Sequence, residues 1–132
     1  MKTVNFKVLL LIGVFAFGLT GFGLLSDWPV PAEYKTKKNA FAGKDDGTGK
    51  KLYTLHCKSC HGAKGLNDGP KATKYKDKMR ALNSAEVKKQ TDGELYFKSI
   101  IGDKTRNMPN YESKIAAEKD RWMLINYIKT ME

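Results

Sequence analysis

Cys57-Lys58-Ser59-Cys60-His61 is the stretch that decides the fold, a pair of cysteines spaced C-x-x-C with a histidine directly after. On a helical turn, residues three and four apart share a face, so two thiols at this spacing reach one edge of a flat ligand. The imidazole of the next residue then turns toward that ligand's centre. This is the pattern that attaches haem, with a thioether to each vinyl group and the histidine on the iron. Three other chemistries use paired cysteines: a structural disulfide, a thioredoxin-like redox pair and a zinc site. The redox pair belongs in a βαβ setting, and a closed zinc site needs four ligands. The chain has only 2 cysteines and 2 histidines. The spare histidine, His56, adjoins Cys57 too closely to complete a tetrahedron. The expectation is therefore one covalent haem c on Cys57 and Cys60, with His61 as an axial ligand of the iron.

The other axial ligand has to come from elsewhere, since His56 lies on the same side as His61. Beyond Met1, the chain offers Met79, Met108, Met123 and Met131. Met123 falls on the apolar side of the last expected helix, where methionine is normally core filler. Met131 is placed in a fraying terminus, and Met79, among Lys76, Asp77, Lys78 and Arg80, on a solvated surface. Met108 stands directly before Pro109, with ample chain after His61 to round a haem edge. Proline fixes φ and removes a backbone donor, which suits a segment holding a side chain against iron without regular structure. Met108 is the candidate second ligand, the alternative being ordinary packing under its loop.

Outward from this site the pattern is helical. Thr48 is positioned to cap a helix that carries Leu52, Tyr53 and Leu55 into Cys57. Gly62, Gly65, Gly69 and Pro70 then break the periodicity, and the Lys-rich stretch 71–80 reads as loop with a helical turn. Ser84 to Lys89 forms a short helix. Thr91 with Glu94 makes a capping box for another, ending before Gly102 and carrying Leu95, Tyr96 and Ile100 on its apolar side. The last helix spans 117–130, with Trp122, Leu124, Ile125 and Ile128. No strand pattern of convincing length occurs, so the class is all-α. The 132 residues suit one domain, placed at 47–132. Residues 33–46 read as an extended tether and 1–32 as a targeting segment.

Lys2 and Lys7 precede an apolar run from Val8 to Leu25, an export signal or a membrane anchor. Its length falls between a signal core of about 7 to 15 residues and a spanning helix of about 20. Val30-Pro31-Ala32 offers a small-residue cleavage site, and the glycines weaken the run as a permanent helix. Cleavage after Ala32 is preferred to a retained anchor. In either case the rest of the chain crosses the membrane, since the positive flank stays on the cytoplasmic side. The expected location is the periplasm, or the outer face of the inner membrane.

From about Gly43 to Thr130 the chain resembles the class I cytochromes c, the His/Met-ligated family that includes the small bacterial monohaem cytochromes. Gly49 and Tyr53 match its Gly-x-x-x-aromatic signature before the first cysteine, and Leu124 and Tyr127 match the Leu-x-x-aromatic of its last helix. The resemblance implies three to five short helices wrapped around one covalently bound haem, with the terminal helices crossing at Gly49. It also implies that the Pro70 carbonyl accepts a hydrogen bond from the proximal His61, fixing the ring. Lys71 to Gln90 matches least, and no haem-propionate contact is assigned there.

His/Met ligation raises the iron potential and leaves no vacant coordination position, which suits one-electron transfer and disfavours binding of oxygen. No general base, nucleophile or phosphate loop is visible, so the expectation is a carrier between respiratory redox partners and not an enzyme. The formal charge of +10 favours an acidic patch on an oxidase or reductase, with no nucleic acid partner expected. Lys58, Lys64 and Lys71 lie near the attachment motif, and Lys104 and Lys114 flank Met108. Two other readings compete: a haem subunit of a membrane respiratory complex, held through residues 8–25, and a haem sensor with a labile Met108.

Overall fold

The computed structural model describes residues 28–132. The apolar run 8–25, and with it the signal or anchor, lies outside the described residues; among those described, no helix is long and apolar enough to cross a membrane. In chain order come α1 (Ala32–Lys35), α2 (Thr48–His56), α3 (Lys58–His61), α4 (Ala85–Lys88), α5 (Asp92–Tyr96) and α6 (Glu118–Lys129). No strand occurs among the described residues, only an isolated bridge between Asp103 and Met108. The all-α expectation holds. The helices outnumber the expected three to five because α1, α3 and α4 are separate pieces of 4 residues each.

Local chemistry sets the helix ends. Thr48 is the first residue of α2 and not its cap: Gly47 occupies the cap position in a left-handed conformation, φ 81°. The Asp46 carboxylate accepts from the Thr48 backbone N–H at 3.0 Å, a negative charge placed where the helix dipole favours it. Hydrogen bonds from Thr48 hold the Asp46 carboxyl down at about 2. The capping box at α5 forms as expected, Glu94 N–H donating to Thr91 Oγ1 at 3.2 Å and Thr91 N–H to Glu94 Oε2 at 2.8 Å. Beyond Tyr96 the helix widens into a π turn, Phe97–Ile101, a device frequent at functional sites. Gly102, at φ 70°, ends it.

The core is built where α2 crosses α6, around the fully buried Tyr53, Ile100, Trp122, Leu124 and Ile125. The Tyr53 ring lies 5.4 Å from that of Tyr127, and its hydroxyl donates to the Gly62 carbonyl at 2.7 Å. Gly49 sits at the crossing. A Cβ there would meet the Tyr127 Cβ at 2.8 Å and press into the Met123 carbonyl. Gly49 stands in the first turn of α2, and the close approach of the two backbones is what requires it there. Gly49→Ala should force the helices apart and destabilise the fold by about 2 kcal/mol. Urea unfolding should show this as a lower midpoint at unchanged slope; a midpoint equal to or above the parent's would mean that the crossing yields without cost.

Residues 33–46 depart from the expected extended tether. α1 makes one helical turn, and Tyr34 packs on Phe97 at 4.8 Å and on Tyr96 at 6.3 Å. Asn39 Nδ2 donates to Asp92 Oδ2 and to Asn126 Oδ1, each at 2.8 Å. Asn126 in turn donates to the Phe41 carbonyl at 2.7 Å. Lys37 pairs with Glu118 at 3.0 Å and lies 5.2 Å from the Tyr96 ring centre. The segment is tied down by single asparagines and aromatic contacts, which leave no hydrophobic period to read.

Candidate haem and metal centre

The C-x-x-C-H motif forms the turn its spacing predicts. Cys57 follows α2, and its carbonyl accepts from Cys60 N–H at 3.1 Å and His61 N–H at 2.9 Å. The loop after it folds back on the turn: Lys71 N–H donates to the Ser59 carbonyl at 2.8 Å. A Cβ at Gly69 would lie 2.6 Å from the Lys58 carbonyl oxygen, so only glycine fits there. Both thiols are free. Burial, with the neighbouring Cys60, pushes the Cys57 thiol up to about 12, so it is protonated at neutral pH.

Cys57, Cys60 and His61 open on one cavity of about 650 Å³, whose other walls include Met79, Leu82, Leu95, Met108 and Tyr111. Cofactor sites typically span roughly 300–1,000 Å³ and are mostly apolar. Two thiols on one wall of an apolar cavity fit a haem. The Cys57 and Cys60 thiols would each hold the haem by adding S–H across one vinyl double bond, an addition that forms a thioether and releases no atom. The competing chemistries find no support: the cysteines are not joined, no strand provides a βαβ setting, and no cluster of three or more His, Cys, Asp or Glu able to hold a metal ion gathers among the described residues.

Burial lowers the proton affinity of His61, while the nearby Asn67 side-chain oxygen, on the accepting side of the imidazole N–H but short of a formed bond, works the other way. The neutral ring is the form that ligates a metal. The bond expected from the resemblance, His61 Nδ1–H to the Pro70 carbonyl, is not formed: Nδ1 is buried without a partner and Pro70 is exposed. The backbone on either side of Pro70 is instead bound to α3 through Gly69 and Lys71. Asn67 is the neighbour that sequence reasoning missed. It is 6% exposed, holds a left-handed φ of 59°, donates its N–H to the His61 carbonyl at 2.9 Å and its Nδ2 to the Met79 carbonyl at 3.0 Å. A signal was available, because asparagine among turn glycines is the commonest non-glycine choice for that conformation.

Met108 reaches the cavity from a segment more regular than its sequence suggests. Asp103 N–H donates to the Met108 carbonyl at 2.8 Å and Met108 N–H to the Asp103 carbonyl at 3.0 Å. Between them runs a turn at Lys104–Arg106, where the Asp103 carboxylate accepts from Thr105 N–H at 2.8 Å. Gly102 permits the approach; a Cβ there would lie 2.5 Å from the carbonyl oxygens of Met108 and Pro109.

Two methionines stand elsewhere than expected. Met79 lines the cavity instead of a solvated surface, drawn in by the Asn67 bond to its carbonyl. Met131 is buried, 7% exposed, because its N–H donates to the Ile128 carbonyl at 3.2 Å and continues α6 inward. Met123 is core, as expected. The basic side chains on the cavity are also different ones. Lys58, Lys64, Lys71, Lys104 and Lys114 do not line it; Lys35, Lys78, Arg80, Lys89, Lys98 and Arg106 do, with Glu86 and Glu94 as the acids.

Searches of curated proteins and of solved structures return no match. The Cytochrome c family model matches residues 47–132, from the cap of α2 to the last residue, and so covers the crossing helices, the attachment turn and the Met108 segment together. The chain belongs to the cytochrome c family, and its cofactor is covalent haem c.

Proposed function

We propose that the chain is an extracytoplasmic one-electron carrier, a class I monohaem cytochrome of bacterial type whose iron is ligated by His61 and Met108. Members of the family are generally electron-transfer carriers on haem c. The observation that carries the ligand assignment is that the Cys57-to-His61 turn and the bridged Met108 segment open on one cavity. Met79 is the rival thioether. Its backbone carbonyl accepts from Asn67, whose own N–H donates to the His61 carbonyl, so its position is set from the loop that follows the histidine. Met108 comes from a different element, between the π turn and Tyr111. With both axial positions filled, the iron exchanges an electron without taking up a ligand. The ferrous protein should therefore fail to bind carbon monoxide; ready formation of an adduct would favour the sensor reading.

The charges on the cavity supply a docking field for an acidic redox partner, an oxidase or a reductase. A rim of predominantly positive charge steers encounter, and exposed charges are screened over about 8 Å at physiological salt. Electron transfer to such a partner should slow at least roughly tenfold as ionic strength rises from low to high. In stopped-flow measurements, Lys78→Glu or Lys89→Glu should slow it more than Lys64→Glu or Lys51→Glu, which lie off the cavity. A salt-independent rate, or equal effects at all four positions, would make the lysines solubilising surface only.

A further inference from the structure

Trp28 precedes both the expected cleavage site and the family domain, yet with Pro29 and Val30 it lines the haem cavity. Its ring meets Phe97 edge-on at 6.5 Å and 69°. The Arg106 guanidinium carbon lies 5.5 Å from the centre of the same ring. Phe97 opens the π turn from which Lys98 and Ser99 reach the cavity, and Arg106 belongs to the turn closed by the Asp103–Met108 bridge. One indole thus spans two walls of the site. Its own segment is held in place: the Pro31 carbonyl accepts from Tyr34 N–H at 3.0 Å and Lys35 N–H at 3.2 Å, and Tyr34 packs on Phe97 and Tyr96.

We infer that Trp28 is a positioning residue of the haem site, sealing the cavity beside Met108 and holding the Arg106 turn, and that the mature chain keeps it. The inference rests on the cavity holding haem with Met108 on its iron. Ferric haem carries one more positive charge than ferrous, so water admitted to the cavity stabilises the ferric form and lowers the potential. A turn released from the indole also holds its methionine less firmly. Cleavage after Ala32 would remove Trp28, Pro29 and Val30 together, so export processing has to stop upstream of Trp28.

The test uses the full chain, with covalent haem content measured first by extraction into acidic organic solvent. Failure there sinks the haem reading and is distinct from failure of this inference. Trp28→Ala should keep its haem and its helical circular dichroism. Its midpoint potential should fall, and its weak long-wavelength sulfur-to-iron band should disappear at a lower temperature than the parent's. Trp28→Phe, which keeps a ring face for Arg106, should restore most of both properties, whereas Trp28→Leu should restore the potential more than the band. Parental potential and band stability in Trp28→Ala would overturn the role. If Trp28→Ala does not fold, the Phe and Leu variants decide: parental values in both overturn the role, and the stated split supports it. Mass spectrometry of the mature protein tests the same inference independently. A chain starting at or before Trp28 supports it, and one starting at Glu33 overturns it.

Discussion

Replacing Cys57 and Cys60 together by alanine should give a protein from which acidic organic solvent extracts all the haem, while the parent retains it through precipitation. The mass of the parent should exceed that of its polypeptide by one haem, and the variant should show the bare chain. The effect is all-or-none because a thioether is a covalent bond, unaffected by the unfolding that releases a merely ligated group. Loss of the bonds costs stability as well. A domain of this size buries a modest apolar area by itself, and the cavity of about 650 Å³ beside Leu82, Leu95 and Tyr111 leaves the fold dependent on the haem filling it. The double variant should therefore unfold at lower urea than the parent, with haem added back recovering only part of the difference. Complete extraction of haem from the parent would refute covalent attachment.

Much of this architecture is legible because its strongest signals are local. C-x-x-C-H fixes a turn within five residues, Thr91 and Glu94 specify their capping box three residues apart, and α6 shows its apolar face over several turns. Gly49, Tyr53, Leu124 and Tyr127 carry the crossing of α2 and α6, which is long-range but marked by a glycine and two aromatics in fixed places. What escaped was of another kind. Asn39, Asn126 and Asn67 each act through a few hydrogen bonds to distant backbone or side chains, and one asparagine leaves no period. Trp28 sits among prolines next to an apolar run, where the reading as a targeting segment overrides the packing of one ring. Gly47 took the cap position instead of Thr48 because its left-handed backbone starts the helix one residue earlier than a Thr48 cap would, with the Asp46 carboxylate accepting from the Thr48 N–H. The basic side chains lining the cavity were not legible for a related reason: distance along the chain from Cys57 does not measure distance from the cavity, and Lys78 and Lys89 are brought to it by the loop between α3 and α5.

Met108→Ala should abolish the weak long-wavelength sulfur-to-iron band of the ferric protein and lower the midpoint potential by more than about 60 mV, the tenfold step for a one-electron couple. The direction follows from the ligand. A thioether is a soft, neutral donor that favours ferrous iron, and water or hydroxide in its place favours ferric. The structure makes the comparison clean, because Met108 is held in position by its backbone. The paired bonds with Asp103, the Thr105 contact to the Asp103 carboxylate and the close approach at Gly102 all survive the substitution. The variant thus removes a sulfur and leaves the turn. The opened position should also let the ferrous variant bind carbon monoxide, which the parent should not. Met79→Ala is the control: Met79 lines the same cavity, but Asn67 ties its backbone carbonyl to the loop that follows the histidine, so band and potential should stay near parental values. A Met108 variant with an unaltered band, or a Met79 variant that loses it, would move the axial ligand to Met79.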